Sequence, residues 1–156
     1  MDVHDYLIDQ SGNDWAELLS GWSDSLPTSF TVWLVNRFGD VFALFDDGSI
    51  HMLDVGVGAV EPVANNRDHF AELIDVADNA NNWLMIPLVD RMVEAGKILE
   101  EGRCYSFIIP PIMGGEYSVA NTSTLKITEH YGVYASIHQQ IKDLPDGTQV
   151  RLRARW

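Results

Sequence analysis

The stretch from Val41 to Val63 constrains the fold of this chain more than any other. Three apolar runs, Val41-Phe42-Ala43-Leu44-Phe45, Ile50-His51-Met52-Leu53 and Val57 to Val63, are separated only by Asp46-Asp47-Gly48-Ser49 and Asp54-Val55-Gly56. Both separators have turn compositions, so the runs read as an antiparallel meander. Asp47-Gly48 supplies residues that tolerate positive φ in a tight hairpin, and Gly39-Asp40 supplies the turn before the first strand.

Helices are expected around this meander. Asn13 or Asp14 caps a segment whose Trp15, Leu18, Leu19 and Trp22 follow the i, i+3, i+4, i+7 spacing of one helix face. After Pro27, Phe30 to Asn36 suits either a strand or a short buried helix. Asn66 is placed to cap a helix from Arg67 to about Val76, with Phe70, Leu73, Ile74 and Ala77 on one side. A further helix is expected within Asn81 to Ala95, interrupted at Pro87 and stopped by Gly96. Cys104 to Ile109 and Leu125 to Thr128 read as strands, and Glu129 to Lys142 as a helix. The expected class is α+β, an antiparallel sheet with a meander of strands and helices packed on one side.

At 156 residues and 46% hydrophobic, the chain has the size and composition of one packed domain, taken as residues 1–156. Cys104 is the only cysteine, which excludes an intrachain disulfide. The start Met1-Asp2-Val3-His4-Asp5 has neither a basic nor an apolar leader region, so a reducing cytoplasm is the expected compartment. The apolar stretches Phe30 to Val35 and Phe107 to Met113 fall far short of the roughly 20 residues that span a bilayer, so no membrane association is expected.

Charge narrows the partner class. The formal net charge is −13, and its distribution is uneven. Residues 1–36 carry six acids and no Lys or Arg, residues 37–101 carry 13 acids against four bases, and residues 102–156 carry four acids against six bases. Such a field repels nucleic acid and speeds encounter with basic partners; the alternative reading is that it simply keeps the protein in solution.

Four pieces of sequence occur in a telling order. They are Phe38-Gly39-Asp40-Val41-Phe42, the run Tyr105-Ser106-Phe107-Ile108-Ile109-Pro110-Pro111-Ile112-Met113-Gly114-Gly115-Glu116-Tyr117, a strand ending near Glu129-His130, and Ile137-His138-Gln139-Gln140-Ile141-Lys142-Asp143-Leu144-Pro145-Asp146-Gly147-Thr148. Together, over about residues 20–150, they resemble the bacterial domain family, formerly of unknown function, found at the C-terminus of immunity proteins against type VI secretion DNase effectors. Only about 20 residues precede the resemblance, so the separate domain that precedes this one in better understood members is not expected here. The resemblance implies an antitoxin that neutralises a basic toxin, here a DNase, by occluding its active site.

No catalytic constellation competes with that expectation. His4, His51, His69, His130 and His138 lack metal-ligand spacing, and Cys104 opens an apolar strand where a buried, inert thiol is expected. Ser106, Ser118 and Ser136 lack a nucleophile elbow. Gly56-Val57-Gly58 lacks the third glycine and the following helix of a dinucleotide fingerprint and reads as a turn. Asp46-Asp47-Gly48 lacks the rest of a calcium loop. Trp15, Trp22, Trp33 and Trp83 are assigned to the core, and the basic run Arg151 to Arg155 before Trp156 to local ion pairing or a loose end.

No cofactor or metal is therefore expected, and the chain is read as a non-enzyme. The partner-binding surface is sought among Asp2, Asp5, Asp9, Asp14 and Glu17 and around Asp46, Asp47 and Asp54. Pro110, Pro111, Gly114, Gly115, Glu116, Tyr117 and His138 mark the loop carried by the resemblance. The alternatives are a small-ligand-binding protein or enzyme whose pocket uses the Pro110 to Tyr117 loop with His130 and His138, or a regulatory module with no toxin partner.

Overall fold

The computed structural model describes residues 2–145 and 147–149. The basic run Arg151 to Arg155 and Trp156 lie outside the described residues. The chain enters through a 3-10 turn, Val3–Tyr6, and then α1, Trp15–Leu18, whose first turn is capped by the Asp14 carboxylate accepting from the Glu17 amide at 3.2 Å. A further 3-10 turn, Ser20–Trp22, carries the helical spacing on and buries the Trp22 indole.

The meander forms as expected. Strands β1 (Phe30–Val35), β2 (Val41–Phe45), β3 (Ile50–Asp54) and β4 (Ala59–Ala64) pair in sequence order, each antiparallel to the next. The segment left open between strand and helix is thus a strand. Asp47 closes the β2–β3 turn by accepting from both the amide and the hydroxyl of Ser49. Helix α2, Arg67–Ile74, starts at the Asn66 cap, whose side chain accepts from the His69 amide at 2.8 Å.

The next helical stretch differs from expectation in its boundaries. It is two helices, α3 (Ala77–Trp83) and α4 (Ile86–Glu94), joined through Met85 at φ 55°. Pro87 sits in the first turn of α4, where a missing N–H leaves no gap in the ladder. Strands β5 (Arg103–Phe107) and β6 (Thr122–Lys126) make a separate antiparallel pair. The last strand therefore lies earlier than Leu125 to Thr128, and helix α5 runs Ile127–Ile141.

The class is α+β with antiparallel sheets. Helices expected on one side of the meander in fact flank both of its faces. Val35, Val41, Ala43 and Leu53 pack with Leu19, Trp22 and the α5 residues Tyr131, Tyr134 and Ala135. Phe42 and Ile50 point the other way and pack with Phe70 and Ile74 of α2, Ala80 of α3 and Leu84. The reason lies in β2, where apolar residues occupy consecutive positions instead of alternating, so both faces need cover.

A third core, of Phe38, Leu88, Val89, Met92 and Tyr105, ties α4 to β5. Two of the hydrogen bonds that pin helix α5 across the molecule come from Trp22 and Tyr131. The Trp22 indole N–H donates to the Tyr131 carbonyl at 3.1 Å, and the Tyr131 hydroxyl donates to the Gly39 carbonyl at 2.7 Å.

Candidate protein-binding site

Between β5 and β6 the chain leaves the ladder at the Phe107–Thr122 pair for an excursion of fourteen residues. Both ends of this excursion, residues 108–121, are fixed. At its start, the Tyr134 hydroxyl accepts from the Phe107 amide at 2.9 Å and lies 2.8 Å from the Phe107 carbonyl, to which it donates. At its end, Asn121 holds the loop by its side chain. Its Oδ1 accepts from the Ile109 amide at 2.9 Å, and its Nδ2 donates to the carbonyls of Ile109 and Glu116 at 3.0 and 2.8 Å.

Pro110-Pro111 starts a 3-10 turn, Pro111–Met113, which ends at Gly114 with φ 86°. A β-carbon on Gly115 would run into the Ile109 carbonyl, so the second glycine is required by close approach, and the first by its φ. The Ile112 amide donates to the Gly56 carbonyl at 3.2 Å, which seats the loop on the β3–β4 turn.

With its backbone thus satisfied, the loop turns apolar side chains outward. Ile108 is 64% exposed, Ile109 51%, Ile112 48% and Tyr117 49%. Exposed apolar groups clustered on one ordered loop mark an interaction surface more than scattered ones do. Tyr117 meets Phe107 edge to face with ring centroids 5.3 Å apart, and Phe107 stacks on buried Phe38 at 5.1 Å, so the tyrosine is braced by the core.

Beyond Tyr117 lies a cleft of about 350 Å³ lined by Asp40, Met52, Asp54, Asn81, Asn82, Met85, Phe107 and Tyr117. Asp40 is held there by Asn36, whose Oδ1 accepts from the amides of Phe38 and Asp40 and whose Nδ2 donates to the Asp40 carboxyl at 3.0 Å. The other Asp40 oxygen accepts from the Val55 amide at 2.9 Å. Burial, together with the Asp54 carboxylate, pushes the Asp40 pKa up to about 8. Burial also raises that of Asp54.

The match to known families falls on this part of the chain. Residues 64–138 match the family model described as T6SS immunity protein Tdi1, C-terminal. The match runs from the last residue of β4 into α5 and takes in the whole 108–121 loop. It leaves out Phe38-Gly39-Asp40 and Gln139 to Thr148, so the resemblance stated from the sequence is found over a shorter span than residues 20–150. The matched family is one of type VI secretion immunity proteins, whose partners are protein effectors. Nothing among the curated proteins matches the chain.

The structure distributes the singled-out acids instead of gathering them. Asp2 and Asp14 cap helical turns, Asp9 accepts from the amide and hydroxyl of Ser11, and Asp46 accepts from the Ser29 hydroxyl. These Ser11 hydrogen bonds hold the Asp9 pKa down, and those from Ser49 do the same for Asp47. Asp9 lines one shallow cleft, Asp14 and Glu17 line another along α5, and Asp54 lines the cleft beside Tyr117. Asp5 is exposed in the first 3-10 turn.

The loop residues Pro110, Pro111, Gly114, Gly115, Glu116 and Tyr117 do stand together, and His138 comes near them. It stacks on Trp22 at 5.6 Å and shares an open groove of about 530 Å³ with Ile112, Met113 and Gly114. His130 does not join that groove. It is 1% exposed, packed against Tyr131 and Tyr134, and burial pushes its pKa down to about 4, partly opposed by the Phe38 backbone. Cys104 is fully buried, and burial pushes its thiol pKa up, away from the reactive thiolate. No helix among the described residues is long and apolar enough to cross a membrane.

Sequence reasoning missed Asn36 and Asn121, the two asparagines that build the site. It also missed the outward turn of Ile108 and Ile109, which were read as strand. Asp40 entered only through the Phe-Gly-Asp turn, whose glycine and acid gave a signal for a tight hairpin but none for burial.

Proposed function

We propose that this protein neutralises a secreted protein effector by binding it, acting as one non-catalytic domain in the cytoplasm, with the 108–121 loop at the centre of the contact. One observation carries the reading: within the residues that match the immunity family, a loop fixed at both ends by Tyr134 and Asn121 turns Ile108, Ile109, Ile112 and Tyr117 to solvent. A pre-ordered apolar centre loses little entropy on association, which is the property of interface anchors. The surplus of carboxylates supports a basic effector, such as a DNase whose substrate cleft is cationic, and occlusion of that cleft as the mode of inhibition.

The test is co-expression with type VI secretion effectors, taken first from any encoded beside the gene. The chain should restore growth and co-purify with the effector. Ile109→Asp and Tyr117→Asp should each lower affinity by at least tenfold while leaving the melting temperature within a few degrees. Full protection by both variants would overturn the assignment of the loop, and absence of any complex would overturn the function.

A further inference from the structure

The loop does not end the apolar surface in open solvent; it borders a cleft in which carboxyl and amide groups join Met52, Met85 and Phe107. We infer that the two form one docking face, and that its occupant is a protein segment in which an apolar side chain lies beside an arginine or lysine. The apolar residue rests on Ile108 and Ile109, and the cation passes Tyr117 into the cleft that holds Asp40 and Asp54. This inference rests on the protein-binding reading of the same loop and adds the chemistry of the segment that it takes.

Charge complementarity selects the occupant. The cleft offers the Asp54 carboxylate, the exposed Asn81 and Asn82 side chains and the Tyr117 ring, and no Lys or Arg lines it. An anionic group would meet repulsion from Asp54, and a purely apolar one would strip water from the Asp54 carboxylate and from the exposed Asn81 and Asn82 side chains with nothing in return. A guanidinium or ammonium satisfies the oxygens, and the tyrosine face attracts it further. At about 350 Å³ the cleft suits a single long side chain and lies at the low end of small-molecule sites.

Burial raises the pKa values of both Asp40 and Asp54, with the Asp54 carboxylate adding to the first and Glu61 to the second, so a cation in the cleft they line relieves a tension present in the free protein. The net charge of −13 makes a cationic partner the one that the rest of the surface also attracts.

The probes are the blocked dipeptides N-acetyl-Leu-Arg-amide and N-acetyl-Arg-Leu-amide, with citrulline in place of arginine as the neutral control, titrated into the full chain by NMR. An arginine peptide should saturably shift the side-chain amides of Asn81 and Asn82 together with the methyl groups of Ile108 and Ile109. Its citrulline counterpart should bind at least tenfold more weakly. Asp54→Asn should abolish that preference.

A second variant, Asn82→Lys, lies on the exposed rim and places an ammonium at the cleft mouth; it too should weaken the arginine peptide at least tenfold. The inference is overturned if arginine and citrulline peptides bind alike, if shifts spread over the other acidic sites, or if neither variant changes the affinity. None of these measurements uses the effector, so the cleft can fail while neutralisation stands, and effector binding can fail while the cleft holds its cation.

Discussion

Two buried ionisable side chains, His130 and Asp40, make the stability of this fold depend on pH, and they act in opposite directions. Burial lowers the pKa of His130 from 6.5 to about 4, so folding favours its neutral ring. Its contribution is complete above about pH 6.5, where the unfolded chain is neutral there too, and is lost as pH falls toward 4. The gap corresponds to about 3 kcal/mol. Asp40 is raised from 3.8 to about 8, so folding favours its protonated form. That contribution is complete below about pH 4 and declines as pH rises toward 8. Between about pH 4 and 6.5 the two slopes cancel, so urea midpoints should change little there and fall as pH rises from 6.5 toward 8. In His130→Leu the Asp40 effect stands alone, and midpoints should keep rising as pH falls from 8 toward 4. A His130→Leu profile parallel to that of the parent between pH 6.5 and 4 would show that the histidine does not carry this effect. A histidine at this position was legible in the sequence; its burial was not, because that depends on the Phe38-Gly39 turn, far away along the chain, packing against the ring.

At the scale of elements, boundaries set by local chemistry could be read directly, whereas those set by distant side chains could not. Asn66 and Asp14 cap the helices that they precede, since a short oxygen-bearing side chain meets the amide three residues on regardless of tertiary context. Strand β5, by contrast, stops at Phe107 although Ile108 and Ile109 continue its composition. Tyr134, 27 residues away, takes both polar groups of Phe107, and Asn121 takes those of Ile109. The expectation at this scale concerns Asn121→Ala. Removing three hydrogen bonds of the loop should cost about 1–3 kcal/mol and raise amide exchange across residues 108–117 while β2 and β3 stay protected. Uniform exchange through the whole chain, or no change in the loop, would contradict the role given to this residue. Effector affinity should fall in the same variant even though no contact side chain has been altered.

For the molecule as a whole, the excess of carboxylates is spread over several surfaces, which suits long-range attraction better than a local lock. Association with a basic effector should slow as salt is raised, since attraction is screened beyond about 8 Å at physiological ionic strength. Dissociation should change less, because the aromatic and aliphatic anchors of the loop govern it. The pair Asp9→Lys with Asp14→Lys lies away from the loop, on two other clefts, and should lower the association rate without unfolding the chain. Stopped-flow rates at several salt concentrations check this, and rates indifferent to salt would exclude steering. The meander was legible at this scale because each strand pairs with its sequence neighbour; the cover on its second face was not, because α5 reaches it from the far end of the chain.

That cover also orders events during synthesis. The four strands need only short loops to pair, so the sheet can assemble as soon as residues 30–64 have left the ribosome. The side of it that bears Val41 and Leu53 then waits for Tyr131 and Ala135, some 70 residues further on. At about 5–20 residues per second this leaves several seconds with one apolar wall open to water, a window in which a nascent chain is open to chaperones and to self-association.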